Sequence, residues 1–225
     1  MSDTPITPGT FDLNRLPLLI GKHDPVILDV GCNDGTHTVA FLKLFPLSRV
    51  YAFEPDPRAL ESFRNSIKGD RVQLFDLAIS DRDGVADFYV SDGYPTSPDW
   101  KDYRPSGWDL SGSIRKPKEH LRVFPWCEFN RTIEVKTRRL DSWARETGVE
   151  AIDLIWADVQ GAEQNLIEGG RETLSRTRFF YTEYADVELY ENQVGLDWII
   201  NELPSFEVVS RFADDVLLKN RDLSV

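Results

Sequence analysis

Apolar runs and turn signals alternate along most of this chain. Val26-Ile27-Leu28-Asp29-Val30 is a short, β-branched apolar run, broken by a loop with glycines at 31 and 35. Val39, Ala40, Leu42, Leu44 and Phe45 then follow in a helical pattern that ends before Pro46. The order predicts strand, tight turn, helix. Arg49 to Phe53 predicts a second strand. A helix carrying Leu60, Phe63 and Ile67 begins near Pro57, with Asp56 as its cap, and stops at Gly69. Val72 to Phe75 is a third strand. Strands alternating with helices specify βαβ units, a parallel sheet and right-handed crossovers.

The rhythm changes after Ser80. Asp83-Gly84 marks a turn and Ala86 to Val90 a strand. Residues 91–130 then show no period, but carry Trp100, Trp108 and Trp126 among several prolines and the basic residues Arg104, Arg115, Lys116, Lys118 and Arg122. A stretch this long inside a compact domain is a lid or binding loop when it is rich in aromatics. Its aromatic and basic residues suit a sugar or an anionic group. Thr132 to Thr137 alternates as a half-buried strand and is expected to pair antiparallel with 86–90. A helix over 141–147 closes at Gly148. Ile152 to Ala157 is another core strand. Helices end at Gly169-Gly170 and cover 171–176 and 194–202, and Phe179 to Thr182 is a strand ending in Glu183. Runs 206–210 and 215–219 form a closing hairpin, with an antiparallel last strand. Residues 1–25 hold four prolines and one apolar segment, Leu16 to Ile20, and are expected to form an arm that covers an edge or a ligand. The main domain is expected over 26–220.

Composition narrows the class. With 225 residues the chain suits one domain, and 41% hydrophobic and 28% charged residues are ordinary for a globular protein. A formal net charge of -12 argues against a nucleic-acid substrate. Neither a membrane span nor a secretion signal is visible, so a cytoplasmic protein is expected. Cys32 and Cys127 are the only cysteines, too few for a disulfide framework or a zinc site. Oligomeric state is open, a homodimer included.

The candidate chemistry sits at the carboxyl ends of the strands, where ligands bind in open α/β sheets. Acids stand at five such ends: Asp29, Glu54, Asp76, Asp158 and Glu183. A diphosphate loop wants a third glycine where this chain has Asn33. Asp29, two residues before Gly31, suits a cationic or amine-bearing ligand better. Glu54 is placed to accept hydrogen bonds from ribose hydroxyls, a need common to both cofactor classes. A tight turn without a ligand is the bland alternative.

The segments VILDVGCNDG, YAFEPDP, LAISDRDG, VKTRRLDSW and IDLIWADVQGAEQNLIEGG together resemble the FkbM-type family of methyltransferases that use S-adenosylmethionine (SAM). The resemblance covers about residues 26–219. It implies an α/β, class I methyltransferase-like, doubly wound seven-strand sheet and O-methylation of a sugar or natural-product hydroxyl. It also implies a SAM site at Asp29, Gly31, Asn33, Asp34, Gly35, Glu54, Pro55, Asp76, Ala78 and Asp158. Substrate contacts would come from Gln160, Glu163, Glu183 and Trp108, on a small-molecule or glycan acceptor. Glu163 also fits a structural role in the first turn of its helix.

A hydroxyl is a weak nucleophile, so a general base helps. The candidates are Asp158, His120 and His37. Mg²⁺ held by Asp158 and Glu183 is an alternative that no spacing demonstrates. An NAD(P)-dependent oxidoreductase and a methyltransferase-like binding module without catalysis are the competing functions.

Overall fold

A computed structural model describes residues 5–96 and 107–223. Trp100 and Arg104 lie outside the described residues.

Seven strands form the main sheet. They are β1 (Val26–Val30), β2 (Arg49–Glu54), β3 (Val72–Asp76), β7 (Ile152–Ala157), β8 (Thr177–Glu183), β9 (Phe206–Arg211) and β10 (Asp215–Asn220). Their order is β3-β2-β1-β7-β8-β10-β9. The first five run parallel, and β10 enters antiparallel between β8 and β9. The chain therefore reverses direction across the sheet between β1 and β7, where strand-end loops diverge and leave a crevice.

The apolar runs are nearly continuous because both faces of the sheet are covered. Leu28, Val30, Phe53, Ile155 and Phe180 pack on one face, with Trp143 of α5 (Leu140–Thr147) and Leu166 of α6 (Glu163–Gly169). Ile27, Val50, Leu154, Trp156 and Phe179 pack on the other, with Phe41 of α2 (Thr36–Leu44). Phe11, Leu16 and Ile20 join that second layer. The N-terminal segment is thus part of the core as far as its short helix α1 (Leu16–Ile20). Ahead of it, Ile6 bridges Arg211 on the outermost strand, and Thr7 N–H donates to the Arg211 carbonyl. That closes an edge otherwise open to strand addition. Helix α3 (Pro57–Ser66) is capped by the Asp56 side chain, which accepts from Arg58 N. It stops three residues before Gly69.

A second sheet of three strands contains β4 (Ala78–Ser80), β5 (Gly84–Gly93) and β6 (Cys127–Arg139), in the order β4-β6-β5. β5 and β6 pair antiparallel, as the alternation at 86–90 and 132–137 predicts. Both strands run several residues further than that alternation shows. A register shift between Val90 and Asp92 breaks the period-two pattern there. The aperiodic stretch 91–130 therefore begins and ends as paired strand. Its middle carries α4 (His120–Val123) and reaches the strand ends through the Pro117–Tyr190 bridge.

Asp141, within one of the segments that carry the family resemblance, has a structural task. Its carboxylate accepts from Thr173 N and Oγ1, each at 2.8 Å. It thereby caps α7 (Arg171–Ser175) from outside that helix. No helix among the described residues is long and apolar enough to cross a membrane.

Candidate active site

The loop after β1 is shaped by its neighbours. Gly31 has φ +79°, and a Cβ there would lie 1.8 Å from the Asp158 carbonyl oxygen. A Cβ on Gly35, at φ +85°, would meet the Ile67 and Phe63 side chains at 2.3 and 2.7 Å. Both positions need glycine for protein–protein contact, where a sequence argument gives them to a ligand. Gly31 N and Cys32 N both donate to the Phe53 carbonyl, and Asp158 N donates to Val30 O. The ends of β1, β2 and β7 are thereby tied together. Asp34 accepts from Thr36 N and Oγ1 and caps α2.

Glu54 ends β2 almost fully buried. One of its oxygens accepts from Asn33 N at 2.9 Å and the other from Asp56 N at 2.7 Å. Burial pushes its carboxyl up to about 8, against the pull of those two bonds. Each oxygen keeps a free lone pair, so the carboxylate can still accept two ribose hydroxyls.

Two cavities meet at these strand ends. The smaller, about 70 Å³, is lined by Phe53, Glu54, Pro55, Ala78, Ile79 and the segment 109–114, among others. Its apolar walls, with the Glu54 carboxylate among them, have the character of a nucleoside site. Its volume falls far short of the roughly 300 Å³ of a small-molecule pocket, because 109–114 lies across it. Asn33 Nδ2 holds that segment by donating to Asp109 O. The larger cleft, about 680 Å³, opens between Gly31, Asp34, His37, Asp158 and Glu183 on one side and Trp108, His120, Phe124, Trp126 and Tyr190 on the other. Gly31, Asn33, Leu110, Asp158 and Gln160 line both.

Asp158 and Glu183 sit side by side because Ala157 and Thr182, one residue earlier, are partners across β7 and β8. Their carboxyls come close enough for one amide, that of Gln160, to reach both. Burial raises both above the ordinary carboxylate range, and the neighbouring Asp158 raises Glu183 further. Gln160 Nε2 donates to Asp158 Oδ1 at 2.6 Å and to Glu183 Oε2 at 3.0 Å. Its amide is thus engaged within the protein, while the residue still lines both cavities, where a substrate contact is expected. Among the described residues no group of three or more His, Cys, Asp and Glu side chains is arranged to hold a metal ion, so beyond the Asp158–Glu183 pair itself nothing supports Mg²⁺.

Several expected site residues fall elsewhere. Asp76 projects into solvent beside Arg64, 3.9 Å away, rather than into either cavity. An exposed edge strand turns this side chain outward. Asp29 lies under the loop, where Thr38 Oγ1 donates to it. Burial raises its carboxyl to about 6. Glu163 is fully buried, accepts from Gly161 N, and has Oε2 without a partner. Burial raises it to about 7, and it meets no substrate space. The basic residues after 114 turn away from the cleft: Arg115 donates to Asn165, and Lys116, Lys118 and Arg122 pair with Glu191, Glu188 and Glu119. They do not supply the anion site that their spacing suggested.

His37 lines the cleft with its ring 4.9 Å from that of Trp156. His120 also lines it but is buried among Phe124, Phe129 and Tyr190, and burial lowers it to about 4. Trp108 is in the cleft, its Nε1 donating to Ser111 Oγ. Tyr190, Tyr184 and Asp214 also line it, in irregular segments whose sequence carries no periodic signal.

This arrangement, a small apolar corner beside Glu54 joined to an acidic cleft, accords with the family match. The model of the methyltransferase FkbM domain matches residues 29–215. The chain belongs to the FkbM methyltransferase family. It is 52% identical over 210 residues to the 2-O-methyltransferase NoeI of Sinorhizobium fredii (strain NBRC 101917 / NGR234), covering 91% of this chain and 83% of that protein. Methyltransferase 1 of Beauveria bassiana (strain ARSEF 2860) is 22% identical over 152 residues, covering 65% of this chain and 58% of that one. Among solved structures, the FkbM methyltransferase from Methylobacillus flagellatus KT aligns with a TM-score of 0.54 at 12% identity. That alignment covers 88% of this chain and 44% of the other, and it speaks for the fold alone. As a family member the chain is a methyltransferase with the class I sheet, and the oxidoreductase alternative falls away.

Proposed function

We propose that this methyltransferase moves the methyl group of SAM to a hydroxyl of a sugar or a glycosylated small molecule. The observation that carries the proposal is the place of Asp158, which lines both the apolar corner beside Glu54 and the aromatic cleft. Glu54 would hold the ribose, with Phe53, Pro55, Ala78 and Ile79 around the base, and the loop from Gly31 to Asp34 beside the amino-acid end. When bound, SAM supplies an electrophilic methyl group on a sulfonium.

The protein's part is to orient the acceptor and take its proton. Trp108, Trp126 and Tyr190 give the cleft the aromatic lining that suits the C–H surface of a sugar. Asp158, at the junction, accepts the hydroxyl proton, a positioning and general-base contribution. His120 is a wall of the cleft, held neutral by its burial. Neither Lys nor Arg lines either cavity among the described residues, while Asp34, Asp158, Glu183 and Asp214 do. That lining suits a small neutral acceptor and disfavours nucleic acid. The 2-O position named for NoeI supports an oxygen acceptor.

Calorimetry with S-adenosylhomocysteine tests the cofactor half, and an absence of binding by folded protein would overturn it. Transfer of labelled methyl to neutral glycosides, absent from Asp158→Asn, tests the rest.

A further inference from the structure

We propose that Asp158 and Glu183 work as one proton-sharing pair and that Gln160, steadied by Tyr190, is the positioning residue that keeps Asp158 as its basic member. This rests on the methyl-transfer reading of the cleft. It adds the role of Glu183, Gln160 and Tyr190.

The pairing follows from the sheet. β7 and β8 are adjacent and parallel, so Asp158 and Glu183, each one residue beyond the Ala157–Thr182 pair, come to the same end of the sheet. Two carboxyls in direct contact cannot both ionise cheaply, so they retain one proton between them. Burial and the like charges of Asp158, Asp215 and Glu163 bear on Glu183, whereas the Gln160 amide and His37 favour the charged form of Asp158, so the proton belongs with Glu183.

Gln160 sets that asymmetry. Its backbone has φ +50°, unusual for a side-chain-bearing residue, and this turn carries the amide back over the two acids. The shorter bond goes to Asp158, at 2.6 Å against 3.0 Å to Glu183. A donated N–H favours the ionised form, so the closer carboxylate is the one kept charged. Its Oε1 lies 3.1 Å from the Tyr190 hydroxyl, whose single proton is shared between this oxygen and the Ser111 carbonyl. Tyr190 is itself fixed, with its hydroxyl 2.8 Å from the Ser111 carbonyl. Its ring fills the space that a Cβ on Gly161 would enter, 2.7 Å away.

In the transfer, the acceptor's O–H bond breaks and its proton passes to the Asp158 carboxylate. The oxygen's electron pair forms the new O–C bond. The donor's S–C bond breaks with its pair left on sulfur, giving a neutral thioether. Glu183 keeps its own proton throughout. No further reactant is needed.

Carboxyl-detected NMR titration of the whole protein, labelled with ¹³C at Asp and Glu carboxyls, tests this without an acceptor. Wild type should show two coupled steps that Asp158→Asn and Glu183→Gln each reduce to one. Gln160→Leu should raise the lower step by about one pH unit, a tenfold gain in proton affinity. Tyr190→Phe should raise it less, and it serves if Gln160→Leu does not fold. Independent titration of the two acids would overturn the pair. An unmoved lower step in whichever variant folds would overturn the positioning role. Calorimetry of the same wild-type sample with S-adenosylhomocysteine separates this failure from that of the site: no binding overturns both, whereas binding with independent titration overturns only the pair.

Discussion

Replacing Gly31 by Ala separates two explanations of the glycine loop. If the glycine leaves room for cofactor, the variant folds normally and loses only binding. The structure gives a different cause. The new methyl would sit 1.8 Å from the Asp158 carbonyl oxygen, at a φ of +79° that alanine resists. Ordinary contact begins near 3.4 Å, so the two backbones must part by about 1.6 Å. Neither can yield easily, because Asp158 N is bonded to Val30 O and Gly31 N to Phe53 O. Backbone strain of about 1–3 kcal/mol adds to overpacking of about 1–3 kcal/mol. The ligand-free protein should therefore lose about 2–6 kcal/mol, or roughly 4–24 °C in Tm for a domain of this size. Urea unfolding without cofactor measures it. Stability within about 0.5 kcal/mol of wild type, together with lost binding of S-adenosylhomocysteine, would refute the packing account.

Three other outcomes are expected. The Glu54 carboxyl is raised to about 8 in the free protein, yet its ionised form is the one that accepts ribose hydroxyls. Cofactor affinity should then rise by up to about tenfold per pH unit from pH 6 to 8, and Glu54→Gln should flatten that rise and weaken binding by roughly 10–100-fold; calorimetry across pH reads both. The same shift makes the Glu54 contribution to stability complete below its unfolded pKa and lost as pH climbs to about 8, a trend that Glu54→Gln should remove from denaturant midpoints. Since burial lowers His120 to about 4, its contribution is complete above its unfolded pKa near 6.5 and lost as pH falls through about 4. His120→Phe should recover roughly 2–4 kcal/mol at pH 4 relative to its effect at pH 7, while leaving methyl transfer within about tenfold; a larger loss of transfer would make His120 a base. Glu163→Gln removes a buried carboxyl whose Oε2 has no partner, and should stabilise the protein by about 1 kcal/mol at pH 8 without changing acceptor KM; a raised KM would return Glu163 to the substrate site.

Much of the architecture is legible along the chain. A strand buried on both faces must be apolar throughout, so β1, β2, β7 and β8 declare themselves, and their ends place Glu54, Asp158 and Glu183 at one rim. Helix caps such as Asp56 and Gly148 are local chemistry and are equally plain. What the chain cannot express is which neighbour a residue meets once the strands are side by side. Gly31 is glycine because β7 returns next to β1, more than a hundred residues later in sequence. Asp76 ends a strand like the others but belongs to an edge, so it faces water. Glu163 stands in the first turn of a helix, where an acid is welcome, and only packing shows that it is sealed from substrate. Tyr190 lies in an irregular segment where side-chain periodicity is silent, yet it secures Gln160. Periodicity and capping are short-range and carried by consecutive residues. Contacts between strand ends, and the proton shared by two of them, arise from long-range pairing that the sheet alone brings about.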